Sequence, residues 1–370
     1  MLPDTGRAGG FGWAAQSAAA CFRRNLAPVD VVYLNAASGG ERRSVGLADG
    51  VRLIPSPRRL ADLATLRRER LDAILSIDYR PNYRPFFLSL PRTPIFVWAR
   101  DPRTPEDVAH VKSLRVPGAE GARPKGVREV DIGSLGTIVE FSRILNRPLL
   151  LAAKTPQILA KIPLVYGVPA SGIVLPNPSC VQRSKAFAPK SAHPRVVFLG
   201  RLDPIKRPWI FVELARHFPE VEFMLAGPAH FSGVGGWEPT DLPDNVRAMG
   251  LVGGSEKFAL LQSSWLLVNT SIHEETPVSM IESLACGTPV VACLDTGEIA
   301  TRFGFFAGRF GGTGLDAIPR LAEGIRGLLD DPERRRSLGE DGREWVAREH
   351  GDEPFLAAFD MLCRTAGIVR

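Results

Sequence analysis

Short, predominantly apolar runs recur along this chain, each followed by a stretch with helical periodicity. They stand at 29–35, 73–77, 95–99, 149–152 and 172–175, and again at 195–199, 221–226, 246–249, 265–269 and 289–293. Runs of this length and composition suit strands covered on both faces. Strands that alternate with helices must be joined by crossovers, which makes the sheet parallel and lays helices on both sides. The expected class is therefore α/β.

The two series of strands predict two domains, in keeping with 370 residues at roughly 150 per domain. Between them lies 176–194, with Pro176, Pro178, Pro189 and Pro194, polar and basic residues and no apolar period. That composition reads as a hinge. The expected division is 1–177, 178–353, and a last segment 354–370 whose 354–365 stretch is amphipathic. The 101–131 stretch, rich in Pro, Arg and Gly, reads as a long loop of functional character. At the start, Gly9 and Gly10 precede a helix-like stretch at 11–25, in the manner of a strand–glycine loop–helix unit, yet 1–8 is too polar for a strand. Either a first strand is missing or the unit is of another kind.

Composition narrows the function classes. Lysine and arginine total 46 against 40 acidic residues, a net charge of +6, with the two signs interspersed. This excludes a dedicated nucleic-acid groove and is compatible with peripheral contact to an anionic membrane surface. Five scattered cysteines in no metal spacing read as reduced core thiols of a cytoplasmic protein. The uncharged 162–182 segment contains four prolines, which break a spanning helix. A nicotinamide dehydrogenase would need a strand–GxGxxG–helix fingerprint, which the chain lacks.

Two segments carry chemistry. In 268–292, VNTSIHEETPVSMIESLACGTPVVA, Thr276 is placed to cap a helix whose first position is Pro277. Apolar residues at 278, 281, 284 and 285 form its buried stripe, and Gly287 is suited to the left-handed turn that ends it. Glu274 and Glu282 lie off that stripe, placed to accept hydrogen bonds from hydroxyl groups. The N–H groups near Val278 and Ser279 suit phosphate oxygens. In 195–212, a strand runs into Gly200, then a polar loop with Arg201 and Lys206, then a helix. Two cations at the carboxyl edge of a parallel sheet are placed to hold an anion.

These residues resemble the retaining GT-B glycosyltransferases of the family 4 type (glycosyl transferases group 1). Glu274, seven residues and Glu282 match that family's E-x7-E element, and Ala285-Cys286-Gly287-Thr288-Pro289-Val290-Val291 match the strand that follows. Gly200-Arg201-Leu202 with Lys206 match its G-R-L-x-x-x-K element. The resemblance is strong from about 172 to 351 and weak before it.

The resemblance implies a GT-B fold, two Rossmann-like parallel-sheet domains facing each other across a cleft, with the final helix crossing back to the first domain. It implies transfer of a sugar from a UDP- or GDP-sugar, with retention, to a glycan, lipid-linked or small-molecule acceptor, as in envelope polysaccharide assembly. Arg201, Lys206 and Glu274 are the catalytic candidates. Arg201 and Lys206 would hold the diphosphate, Glu274 the sugar hydroxyls and Glu282 the ribose. Gly9, Gly10, Gly200, Thr276, Pro277, Val278 and Ser279 would surround the phosphates and sugar, and Gly250, Leu251 and Val252 would lie by the base. The chain contains no D-x-D, so neither a metal nor another cofactor is expected. The family's His-Asp pair is replaced by Arg100-Asp101, an acceptor-side candidate. Glu275 and Thr276 replace a Gly-aromatic pair and should alter the sugar pocket. A non-catalytic or truncated nucleotide-sugar-binding protein is the alternative.

Overall fold

A computed structural model describes residues 10–26, 32–35, 46–48, 51–55, 67–68, 70–79, 83–127, 135–178 and 189–368. The chain divides into two compact units. The first comprises Met1–Pro102, Val130–Cys180 and Glu349–Arg370, and the second Arg103–Glu129 and Val181–Arg348.

The first unit begins with helix α1 (Gly10–Asn25). Strands β1 (Val32–Asn35), β2 (Gly46–Ala48) and β3 (Val51–Pro55) form a sheet in the order β1-β3-β2, with β1 and β3 parallel. A parallel sheet follows, β4 (Ile74–Ile77), β5 (Ile95–Ala99) and β6 (Leu149–Ala153), in that order. Helices α2 (Arg84–Ser89), α4 (Leu135–Ile144) and α5 (Pro156–Tyr166) also belong to this unit. Successive side chains of a strand point to opposite faces. In β5 the odd positions Ile95, Val97 and Ala99 enter a core with Phe87, Ile138 and Ile158. The even positions Phe96 and Trp98 enter another with Ala14, Phe22 and Leu175. Both faces are buried, as a central parallel strand requires. The second of these cores is completed from the far end of the sequence by Phe355 and Leu362 of α12 (Asp352–Thr365). Arg24 also pairs with Asp352 at 2.9 Å.

The second unit is built on six strands, all parallel: β7 (Arg195–Leu199), β8 (Glu222–Ala226), β9 (Val246–Gly250), β10 (Leu266–Asn269), β11 (Val290–Ala292) and β12 (Gly304–Phe306). Their spatial order is β12-β11-β10-β7-β8-β9. The first strand is central, and the order reverses between β7 and β10. Helices α6 (Pro208–Ala215), α7 (Gly254–Ser263), α8 (Val278–Ala285), α9 (Ile299–Arg302), α10 (Ile318–Leu329) and α11 (Pro332–Glu349) complete the unit. Again each face has its own core: Val196, Phe198 and Val268 on one, Val197, Leu267 and Val290 on the other.

Two expectations need correction. The 172–175 run is a single bridge, Val174 to Ala153, and not a strand. The 101–131 stretch is not a structureless loop. It contains α3 (Pro105–Lys112), capped by Thr104, whose hydroxyl accepts from the Asp107 N–H. Leu114 and Val116 after it are buried in the second unit's core, beside Phe198 and Trp209. The sequence reading also passed over the short strands β2, β3 and β12. Among the described residues, no helix is long and apolar enough to cross a membrane. Cys21, Cys286, Cys293 and Cys363 are free thiols and buried.

Candidate functional site

In an open α/β sheet, ligands bind beyond the carboxyl ends of the strands where the strand order reverses. Here that point lies between β7 and β10, and the loops leaving these two strands carry both sequence-derived clusters. The loop after β7 passes Gly200, Arg201 and Asp203 into a short helical turn, Pro204–Lys206. The loop after β10 runs from Thr270 to Pro277. Lys206 Nζ meets Glu274 Oε2 at 2.6 Å. Glu274 Oε1 accepts from Ser271 Oγ at 2.6 Å and from Asn269 Nδ2 at 3.3 Å. Burial pushes the Glu274 carboxyl up, but Lys206 and these hydrogen bonds outweigh it and hold it below the ordinary carboxylate value. The group is ionised at neutral pH.

The structure fastens these two loops through Arg207, a residue the sequence reading missed. Its side chain is fully buried. Nε donates to Thr270 O at 2.7 Å, Nη2 to Ser271 O at 3.1 Å, and Nη1 to Phe310 O at 2.6 Å. Thr270 Oγ1 reaches back to Lys206 O at 2.7 Å, and the Ile272 N–H donates to Ile205 O. Burial lowers the Arg207 guanidinium to about 10, still charged at pH 7. Its φ of 47° is left-handed, a strained state for a non-glycine residue. The bonds on its side chain hold that turn and thereby place Lys206. The one available signal was a third cation in the 201–207 loop.

Arg201 is partly exposed and pairs with Asp203 at 2.7 Å. Asp203 is only 2% exposed and was also missed. Gly200 lies against the next loop: a Cβ on Gly227 would sit 1.8 Å from Gly200 O. Only glycine permits this approach, which brings the ends of β7, β8 and β9 together. The Gly227 N–H donates to Gly250 O at 2.7 Å. Beyond Gly250, Leu251 is exposed, while Val252 is buried in the core beside Met224 and Leu260.

The helix after β10 departs slightly from expectation. Pro277 precedes it with φ −59° and ψ 122°, and α8 starts at Val278 with no side-chain cap, so Thr276 does not cap it. Thr276 and Pro277 are buried, and Val278 and Ser279 are half-buried at the helix start. The first N–H groups of a helix have no partner within it, so those of Val278 and Ser279 remain for a ligand. Gly287 follows α8 with φ +67°. Glu282 is buried in α8 and paired with Lys257 of α7, another unanticipated neighbour. His273 packs toward α3, its Nδ1 3.9 Å from Asp107 Oδ1.

In the first unit, Gly9 lies outside the described residues, and Gly10 opens α1. Asp78, Arg100 and Lys154 directly follow β4, β5 and β6, and all three are buried. Arg100 donates to Asn177 Oδ1 at 2.5 Å and stacks 4.5 Å above the Trp98 ring. Burial lowers it to about 10, with Asp78 opposing. Asp78 accepts from Tyr166 Oη at 2.8 Å. Asp101 beside Arg100 is half-buried.

With that geometry in hand, similarity to known proteins becomes interpretable. Residues 182–345 match the family described as "Glycosyl transferases group 1". A D-inositol 3-phosphate glycosyltransferase of Kineococcus radiotolerans is 29% identical over 240 residues, 55% of this chain and 54% of that protein. Its counterpart in Rhodococcus erythropolis is 27% identical over 365 residues, 89% of this chain and 79% of that one. The chain spans about half the length of the first curated relatives it matches. Among solved structures, a sucrose-phosphate synthase from Thermosynechococcus elongatus aligns with TM-score 0.65 at 18% identity, covering 96% of this chain and 92% of that one. HepE of Anabaena, solved with UDP and glucose, aligns with TM-score 0.64 at 15% identity over 98% and 97%. The fold is GT-B, with two parallel-sheet α/β domains.

Proposed function

We propose that this protein is a glycosyltransferase of the retaining, family 4 type. It moves a sugar from a UDP- or GDP-sugar to a glycan, lipid-linked or small-molecule acceptor, and needs no metal. The observation that carries the reading is the Lys206–Glu274 pair at the strand-order reversal, flanked by Arg201 on one loop and by the start of α8 on the other.

Transfer breaks the bond between the sugar's anomeric carbon and the diphosphate oxygen. The bonding pair leaves with the diphosphate, the acceptor hydroxyl oxygen bonds to the carbon, and the hydroxyl proton passes to the departing diphosphate oxygen. Arg201, Lys206 and the N–H groups of Val278 and Ser279 stabilise the charge that develops. Removing one such donor typically costs about 2.7–4 kcal/mol of barrier. Glu274 aligns the sugar hydroxyls and holds Lys206. Glu282, steadied by Lys257, accepts from the ribose, and the backbone at Gly250–Val252 borders the base. With two cations at the diphosphate and no D-x-D, charge neutralisation falls to side chains. On the first unit, Arg100 and Asp101 contact the acceptor. The relatives' names make a phosphorylated polyol the first acceptor to assay. Cytoplasmic location with peripheral membrane contact fits such a role.

A thermal-shift panel of UDP, GDP and their sugar conjugates tests the donor site. A ligand at about 100 Kd adds roughly 2.7 kcal/mol. One nucleotide series should raise the melting temperature of the wild type and not of Arg201→Ala or Lys206→Ala. No shift with any of them in a cooperatively melting protein overturns the donor assignment. Binding without transfer to any acceptor leaves the non-catalytic alternative.

A further inference from the structure

A second concentration of cations lies at the opposite end of α8. A cavity of about 350 Å³ is lined there by Lys190, Gly287, Arg335, Arg336, Glu340 and Arg343, among others. Four cations face one carboxylate. Arg336, Glu340 and Arg343 are four and three residues apart, on one face of α11. The neighbouring, buried face of α11 is held against the end of α8 by two glycines. A Cβ on Gly339 would sit 2.4 Å from Gly287 O, and one on Gly342 would sit 2.7 Å from Leu284 Cδ2.

Two of the cations are fixed by the protein rather than extended into solvent. Lys190 Nζ donates to Ser264 O at 2.8 Å and to Thr288 Oγ1 at 2.6 Å. An ammonium has three donors, so one remains. Arg335 Nη1 donates to Leu328 O and Leu329 O at 2.6 and 3.0 Å, and its guanidinium lies 4.1 Å above the Trp265 ring. Among the described residues, neither Lys190, Arg335 nor Arg336 forms a salt bridge with a carboxylate, and Asp331, one turn before Arg335, acts on it only at longer range. Lys190 is exposed along its stem, but its ammonium is part-buried against Ser264 and Thr288, which lowers it to about 8, and partial burial lowers Arg335 as well. Planar guanidinium groups beside a pinned ammonium suit a tetrahedral, multiply charged anion.

We infer that this cavity is a second anion site, which binds the phosphoryl group of a small molecule or of a lipid headgroup. It is separate from the donor site, since α8 has eight residues and spans about 12 Å between them. The inference does not depend on the proposed transfer activity.

The test uses Arg201→Ala/Lys206→Ala protein, which silences the donor site; the partly exposed Arg201→Gln alone serves if that variant is unstable. Pyrophosphate is titrated by calorimetry, and vesicles of phosphatidylcholine with phosphatidic acid are tested by co-sedimentation. Adding Arg336→Ala/Arg343→Ala, both at exposed positions, should weaken binding at least tenfold. Affinity should fall as pH rises through about 8 and Lys190 loses its proton. Arginine-dependent binding to pyrophosphate assigns a soluble ligand, and such binding to vesicles alone assigns a headgroup. Binding to neither, or binding indifferent to the two arginines, overturns the inference.

Discussion

Lys206 and Glu274 form a part-buried ion pair, and Lys206 helps keep Glu274 ionised. Glu274 is held below the ordinary carboxylate range, so its ionised form stabilises the fold. That contribution is complete above the unfolded value near 4.5 and is lost as pH falls through the depressed folded value. Glu274→Gln should therefore flatten the acid limb of an unfolding curve followed below pH 4.5, an unchanged limb being the contrary result. His350 has a related linkage in the first unit. Burial, with Lys154 and Arg100, lowers it to about 4 from 6.5. Neutral in the fold, it destabilises as pH drops below 6.5, and the loss saturates near 4. His350→Gln should remove that slope from a pH series of melting temperatures. Arg207 gives a third expectation. Its truncation removes this donor from three carbonyls, two of them in buried contacts, and a charged hydrogen bond contributes about 1.5–3 kcal/mol. At a loss of about 3 kcal/mol, Arg207→Ala should lower the second unit's Tm by roughly 6–12 °C, with nucleotide binding weakened as Lys206 loses its place. The motif residues were legible in the sequence because spacing fixes them. Arg207, Asp203 and Lys257 were not, because their roles rest on contacts with residues 25 to 103 positions away or on burial alone.

Elements were legible where one local signal dominated. Runs such as 95–99 and 195–199 coincide with β5 and β7 because a strand buried on both faces is apolar through its centre. Helix α3 was obscured by the prolines, arginines and glycines around it, although Thr104, Pro105 and Asp107 form an N-terminal cap of recognisable spacing. Strand β12 has three residues and starts at a glycine. A Cβ on Gly304 would meet Val290 O at 1.7 Å, so its place is set by its neighbour and not by its own propensity. The packing of α11 on α8 allows a controlled comparison. Gly339→Ala forces the helix off Gly287 and should destabilise by about 1–3 kcal/mol. Gly327→Ala in α10 faces open space and should instead stabilise, by up to about 1 kcal/mol of helix propensity. Denaturant titrations of both variants against wild type check the opposite signs. Two destabilisations of equal size would remove the packing argument.

At the scale of the molecule, each unit has its own cores, and neither is a continuous stretch of chain. Deleting 349–370 removes Phe355 and Leu362, both 0% exposed, from the core around Phe96 and Trp98. Each buried side chain of this kind contributes about 1.5–3 kcal/mol. The truncated protein should lose the first unit's cooperative melt and keep the second's, together with any nucleotide response. Differential scanning calorimetry with and without UDP or GDP separates the two. A truncated chain with both transitions intact would show that α12 contributes little. The two-domain pattern was readable because strand runs come in two series, whereas the traffic of the chain between the units was not, since Leu114 and Val116 look like any other apolar residues.

That traffic has a consequence for biosynthesis. Domains emerging from the ribosome ordinarily fold in the order they are made. Here the first unit includes Glu349–Arg370, which are translated after the main segment of the second unit, and its core lacks Phe355 until they leave the exit tunnel. The second unit, whose main segment ends at Arg348, can close earlier. Of the two units, the one begun earlier is thus completed later. Until then its half-built sheet leaves Phe96 and Trp98 without Phe355 and Leu362 over them, where chaperones that bind apolar segments would find them.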